Sequence, residues 1–221
     1  MNPIADKIAK LKARIEWGRE MGFYFYLQPV KDIDGARILA RGREMLLFAS
    51  YSYLGLIGHP KIDAAAKAAI DGYGTGTHGV RILAGSLALH RELEEKIASF
   101  TGAEDSIVFS SGYVTNLATV STLVGRGDVV ISDKLNHASI VDGCILSRAH
   151  FVRCKHNDMA DLDRCLSEAA PGAGKLVVAD AVFSMDGDII DLPEMRRLCT
   201  KHGALLMVDE AHSLGVLGKT G

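Results

Sequence analysis

Four short stretches of this 221-residue chain carry side chains that could do chemistry together. Ser110-Ser111-Gly112-Tyr113 is a small-residue turn followed by a phenol. Asn136-His137-Ala138-Ser139 offers an imidazole. Asp180, Ser184, Asp186 and Asp188 set one hydroxyl among three carboxylates, and Asp209 and His212 supply a further carboxylate and imidazole. Unpaired N–H groups at a helix start after Ser110-Ser111-Gly112 would bind an anion, phosphate above all. Asp209 closes the apolar run ALLMV, so its carboxylate is partly desolvated and needs a positive partner. Each stretch also has a plainer reading: an ordinary turn, a capping histidine, a solvated acidic loop. Three carboxylates could suggest Mg²⁺, but no ligand set accompanies them, so no metal is expected.

These stretches sit where predicted strands end. Strands are expected at 106–110, 129–132, 151–154, 176–179 and 204–208. Helices are expected between and around them, at 87–100 with Ser86 as cap, 112–123, 138–147, 160–169 with Asp158 as cap, and 193–202. Ahead of them the sequence predicts a helix over 2–21, a strand at 45–49 and an alanine-rich helix over 61–71. The strands are short continuous apolar runs rather than alternating ones. That pattern predicts an α/β fold: three layers around a mostly parallel sheet covered on both faces. Ligands of such sheets bind at the carboxyl ends of the strands. An anion cradle, a flat imidazole, a hydroxyl and an Asp/His pair converge there. Together they suit pyridoxal 5′-phosphate (PLP).

Two tempting motifs fail on context. Gly74-x-Gly76-x-x-Gly79 matches the dinucleotide fingerprint, which needs a strand before it and a helix after it. A predicted helix precedes it instead, and Arg81-Ile82-Leu83 follows. Asp209-Glu210-Ala211-His212 matches the acidic box of certain NTPases, which also need a Walker A loop. Gly218-Lys219-Thr220 supplies only the end of one, with Ser213 at the first glycine position, and it follows the box too closely for a strand and helix to intervene.

Composition removes further classes. Hydrophobic residues are 48% and charged residues 24%, an ordinary globular balance. A net charge of −2 leaves no footprint for nucleic acid. No apolar run approaches the ~18 residues of a transmembrane segment. The first residues mix both charges without an apolar h-region, so a cytoplasmic protein is expected rather than a secreted one. Cys144, Cys154, Cys165 and Cys199 are dispersed, with no C-x-x-C pair, and are expected as reduced thiols without zinc.

Beyond these features, YSYLGLIGHPK, GYGTGTHGVRILAGS, LHRELEEKIASFTG, VFSSGYVTNL, SDKLNHASIVDG, RCKHNDMADL, VFSMDGDIIDLPE and VDEAHSLGVLG together resemble the α-oxoamine synthase family of fold-type I PLP enzymes. The match covers almost everything after residue 45, and SYSYLG, HASIVDGC and VDEAHS are most similar to its serine palmitoyltransferase branch. The resemblance implies an acyltransferase that condenses an amino acid with an acyl thioester, on CoA or a carrier protein, usually with loss of carbon dioxide. It implies that Gly112 and Tyr113 hold the cofactor phosphate and edge, and that His137 stacks on the pyridine ring and steers the acyl carbonyl. Ser184 and His212 would hydrogen-bond near the phenolic oxygen, and Asp209 would face the pyridine nitrogen.

The resemblance also implies a homodimer, with the glycine-rich stretch at 72–85 serving the subunit contact. It divides the chain into a helical arm, 1–44, and a PLP-binding large domain, 45–221. The family's Schiff-base lysine lies past the Asp-x-x-His motif. The sequence ends at Gly221, nine residues after His212, and Lys219 sits in a turn position unsuited to that role. An amino-terminal half is therefore expected, without the lysine segment or the small carboxyl-terminal domain. Such a half would expose an apolar sheet edge and associate. The alternative is a non-catalytic partner subunit or pseudoenzyme of the same fold, but the presence of His137, Asp209 and His212 argues for catalysis. Tyr51 stands where several family members carry asparagine, which weakens any transfer of amino-acid specificity.

Overall fold

Consecutive apolar residues in a strand demand cover on both faces, and that demand builds the larger part of this chain. The computed structural model describes residues 2–221, with the backbone alone at 31–34. It divides into two compact units, Met1–Asp71 and Gly72–Gly221.

In the first unit, α1 (Pro3–Glu20) starts at Asn2, whose side-chain oxygen accepts the Ile4 amide at 3.0 Å. A three-stranded antiparallel sheet follows: β1 (Val30–Asp34), β2 (Arg37–Ala40) and β3 (Arg43–Leu46). Arg41 and Gly42 both take left-handed conformations between the paired residues Ala40 and Arg43, which closes a tight hairpin. Sequence reasoning expected one strand at 45–49 and missed this meander. Its strands are short and charged, and carry little period-two signal. α2 (Pro60–Tyr73) matches its expected span within two residues at each end.

The second unit holds α3 (Ala88–Thr101), α4 (Gly112–Leu123), β4 (Val129–Asp133), α5 (Ala138–Ser147), β5 (His150–Cys154), α6 (Met159–Ser167), β6 (Lys175–Asp180), α7 (Leu192–His202) and β7 (Leu205–Asp209). The four strands form a parallel sheet in the order β5-β4-β6-β7. Alternate strand residues feed two cores. Val130, Leu176 and Val178 pack with Val120, Val124, Ile140 and Cys144, beneath α4 and α5. Val129, Ile131, Val177 and Ala179 pack with Leu162, Leu166, Met195 and Leu198, beneath α6 and α7. Burying each of the valine, leucine, isoleucine and methionine side chains is worth about 1.5–3 kcal/mol, so the layers stand on these residues. The four cysteines are buried and unpaired. Burial pushes Cys154 up to about 12 and Cys144 and Cys199 to about 11, so these three are protonated thiols.

One glycine sets the distance between α4 and α5. A Cβ at Gly143 would lie 3.0 Å from the Asn116 carbonyl oxygen and 3.2 Å from the Val120 Cβ. The helices therefore meet closely at Asn116, which matters for the site.

Two local expectations are corrected. Residues 106–110 belong to no ladder. The Val108 N–H instead donates to Glu94 Oε1 at 2.9 Å, and the Val108 carbonyl accepts from Arg81 at 2.9 Å. An Arg81–Glu94 ion pair, 2.5 Å across, thus occupies the groups a neighbouring strand would pair. Ser86 does not cap α3 either: its hydroxyl donates to the Arg81 carbonyl, and the cap is Leu87, whose N–H reaches His90 Nδ1 at 2.9 Å. Asp158 does cap α6, accepting the Asp161 amide at 2.9 Å. Among the described residues, no helix is long and apolar enough to cross a membrane.

Candidate active site

The chain leaves β4 toward β5 and later returns to the other side of β4 as β6, so a crevice opens where those connections diverge. Asn136 bridges the start of that crevice. Its Nδ2 donates to Ser132 Oγ and to the Val178 carbonyl, both at 2.8 Å, and its Oδ1 accepts the Asp180 amide at 3.0 Å. This seats His137 at the head of α5, with its backbone N–H donating to Asp180 Oδ2 at 2.8 Å.

The His137 tautomer follows from its neighbours. Nδ1 accepts the Ser139 amide at 3.2 Å and lies 2.7 Å from Ser139 Oγ. Ser139 Oγ already accepts from Asn116 Nδ2 at 2.9 Å, so its own proton goes to Nδ1. The imidazole proton therefore belongs on Nε2. The second hydrogen of Asn116 Nδ2 goes to Asp209 Oδ2 at 2.6 Å, and Asp209 Oδ1 accepts the Ala211 amide at 3.0 Å. One buried asparagine, only 5% exposed, thus ties the carboxylate at the end of β7 to the histidine at the head of α5.

Asp180 and Asp209 are register partners on β6 and β7. Burial raises the pKa of Asp180, and the charge of Asp209 adds to this. The His137 backbone N–H and, more weakly, His212 act in the opposite direction. Asp180 therefore holds a proton more tightly than an ordinary carboxyl.

Of the remaining expected residues, Tyr113 and His212 act on this centre. Ser111 caps α4 by accepting the Val114 amide at 3.3 Å, and Gly112 is the first helical residue, with open space where a Cβ would stand. The Tyr113 ring meets His137 edge-to-face, centroids 6.3 Å apart at 81°, while its hydroxyl donates to Asp142. His212 follows β7 in a turn, close enough for its charge to act on Asp180. Ser184 is exposed on a turn closed by the Val182–Ile189 bridge, and among the described residues it makes no hydrogen bond to the other five. The geometry thus couples Tyr113, His137, Asp209 and His212 through Asn116, Ser139 and Asp180, with Gly112 at the rim.

Residues 43–221 match the aminotransferase class I and II family. The chain belongs to that family. Among curated members, it is 52% identical over 203 residues to 8-amino-7-oxononanoate synthase of Geobacter sulfurreducens, covering 92% of this chain and 52% of that protein. It is 44% identical over 207 residues to serine palmitoyltransferase of Sphingobacterium spiritivorum, covering 94% and 52%. The structure of a serine palmitoyltransferase variant from S. paucimobilis, with a bound PLP–myriocin aldimine, superposes with a TM-score of 0.94 at 38% identity, covering 99% of this chain and 55% of that one. Both named enzymes are α-oxoamine synthases, as the motifs implied. The chain spans about half the length of these class I and II relatives.

Sequence reasoning missed Asn116 and passed over Ser139. One signal was present. Asn116, Val120 and Val124 recur every four residues and are all buried, so a polar side chain stands in an apolar stripe.

Proposed function

We propose that this chain is the cofactor-binding part of a PLP-dependent α-oxoamine synthase that joins an amino acid to an acyl thioester, usually with loss of carbon dioxide. The observation that carries the reading is Asp209, held at the end of β7 by the Asn116 amide and the Ala211 N–H. A carboxylate fixed by two donors keeps one direction and does not follow its ligand, as a pyridinium partner requires. The residues fit PLP by their chemistry: the Gly112 and Tyr113 amides in the first turn of α4 for phosphate, a tethered imidazole for an aromatic face, and Asp209 for a ring N–H.

In this reading Gly112 and Tyr113 hold the phosphate and the cofactor's edge. His137 stacks on the ring, a contact worth about 0.5–1.5 kcal/mol. Its Nε2–H remains as a donor that orients the acyl carbonyl. Ser184 and His212 hydrogen-bond near the phenolic oxygen. Asp209 keeps a proton on the pyridine nitrogen, each pKa unit there being worth about 1.36 kcal/mol. When bound, PLP supplies the electron sink for a carbanion at the amino acid's α-carbon. The reading carries with it an arm at 1–44, a PLP-binding domain from 45, a homodimer contacted through the stretch at 72–85, and a cytoplasmic setting.

Titration of the chain with PLP, followed by circular dichroism of the bound chromophore, tests this. A saturable signal that disappears in Asp209→Ala, and survives in the surface variant Asp163→Asn, is expected. A folded wild-type chain with no saturable signal overturns the reading.

A further inference from the structure

His156 lies at the corner between β5 and α6 and takes no part in the site described above. Its Nδ1 is 3.0 Å from Asp133 Oδ1, and its Nε2 is 3.0 Å from Asp188 Oδ2. Asp133 ends β4, and Asp188 belongs to the turn that carries Ser184. A neutral imidazole has one N–H, so in this geometry one ring nitrogen would turn a lone pair toward a carboxylate oxygen. Only the doubly protonated ring satisfies both contacts. The ring is further fixed against Phe183, centroids 4.4 Å apart at 88°.

The surroundings are built to keep this arrangement. Asp133 is buried and accepts the Leu135 and Asn157 amides, each at 2.8 Å. Asn157, in a left-handed conformation, donates from its side chain to the Ile189 carbonyl and accepts the Asp191 amide. Other charged groups nearby are engaged elsewhere or form no ion pair. On α6, Asp158 and Asp161 accept the backbone amides of Asp161 and Lys155. The Cys154 thiol on β5 stays protonated. Lys134 and Lys155 are cations and offer the ring no counter-charge, and among the described residues Asp186 makes no ion pair with it.

We propose that His156 is a positioning residue: while protonated it hooks Asp188 to Asp133 and fastens the turn at 183–189 against the strand ends, and when it loses its proton the turn is released. Burial by itself would lower the imidazole pKa, but the two carboxylates outweigh it and the value stands above the ordinary 6.5. The hook is thus complete at mildly acidic pH and lost as pH rises through that raised value. The hook stands on its own geometry. Only its consequence, that Ser184 is presented to the cofactor below this pH and withdrawn above it, rests on the proposed function.

Amide hydrogen exchange of the chain without cofactor tests the hook separately from that function. The reporters are the Phe183, Gly187 and Ile190 amides, whose acceptors lie within the turn or at its base. After correction for intrinsic rates, their protection is expected to fall between pH 6 and pH 9. The fall is about tenfold for each unit by which closing raises the imidazole pKa. Amides of α4 should not follow. His156→Gln should exchange fast and without this pH dependence, and Asp188→Asn should move the transition to lower pH. A flat wild-type profile, an unchanged transition in Asp188→Asn, or an imidazole found neutral at pH 6 by ¹⁵N shifts overturns the proposal. If His156→Gln does not fold, the Asp188→Asn transition and the ¹⁵N titration still decide it.

Discussion

Asn116 donates to Asp209 across 2.6 Å from a position 93 residues earlier in the chain, and this single amide links α4 to the carboxylate at the end of β7. Replacing Asn116 by Leu leaves a half-buried carboxylate and the Ser139 hydroxyl short of a donor. The expected cost is about 1–3 kcal/mol of stability. Urea denaturation of the two proteins measures it. PLP binding should weaken as well, because Asp209 loses its fixed direction.

The close approach of α4 and α5 makes a second prediction. Alanine at Gly143 would gain about 1 kcal/mol from helix propensity alone. The new Cβ, however, meets the Asn116 carbonyl oxygen at 3.0 Å and Val120 at 3.2 Å. Overpacking of this kind costs about 1–3 kcal/mol, so Gly143→Ala should be net destabilising in the same urea assay. It should also lengthen the Asn116–Asp209 contact, lowering PLP affinity although Gly143 touches no ligand.

Ser139 fixes the protonation pattern of His137. In the wild type the imidazole should appear as the Nε2–H tautomer in long-range ¹H–¹⁵N spectra at neutral pH, because Nδ1 accepts from Ser139. Ser139→Ala removes the hydroxyl donor and strands one Asn116 hydrogen. The Ser139 amide still donates to Nδ1, so the spectra should keep the Nε2–H tautomer, while the stranded hydrogen costs about 1–3 kcal/mol of stability.

The Arg81–Glu94 pair gives the protein an acid limit. The Arg81 guanidinium and the Val108 N–H hold the Glu94 carboxyl down to about 2, below its ordinary 4.5. A folded pKa below the unfolded one contributes stability that is complete above about 4.5 and lost as pH falls toward about 2. Melting temperature measured from pH 6 downward should therefore fall more steeply in the wild type than in Glu94→Gln across that window. Because the pair also holds Val108, Glu94→Gln should melt lower than wild type at neutral pH.

How far the chain could be read without coordinates depended on where the controlling contacts lie. The runs Val129–Asp133 and Lys175–Asp180 announce buried strands because both their faces are apolar, and α4 and α5 fall at their expected residues. The stretch at 106–110 has the same apolar character but forms no strand. A strand needs a partner, and here an arginine and a glutamate take its backbone groups. Ser86 looked like a cap because serine usually is one, but its hydroxyl found the Arg81 carbonyl first. The site shows the same division. His137, Asp209 and His212 stand at strand ends, where the topology rule directs attention. Asn116 and Ser139 work through partners far away in sequence, and no spacing rule reaches across 93 residues.

The most direct measurement is the ¹⁵N chemical shift of the pyridine nitrogen of labelled PLP bound to this chain. A protonated ring nitrogen in the wild type at neutral pH, lost in Asp209→Ala, is the expected result. An unprotonated nitrogen, or a protonated one indifferent to Asp209→Ala, contradicts the placement of the cofactor against Asp209 and with it the proposed chemistry.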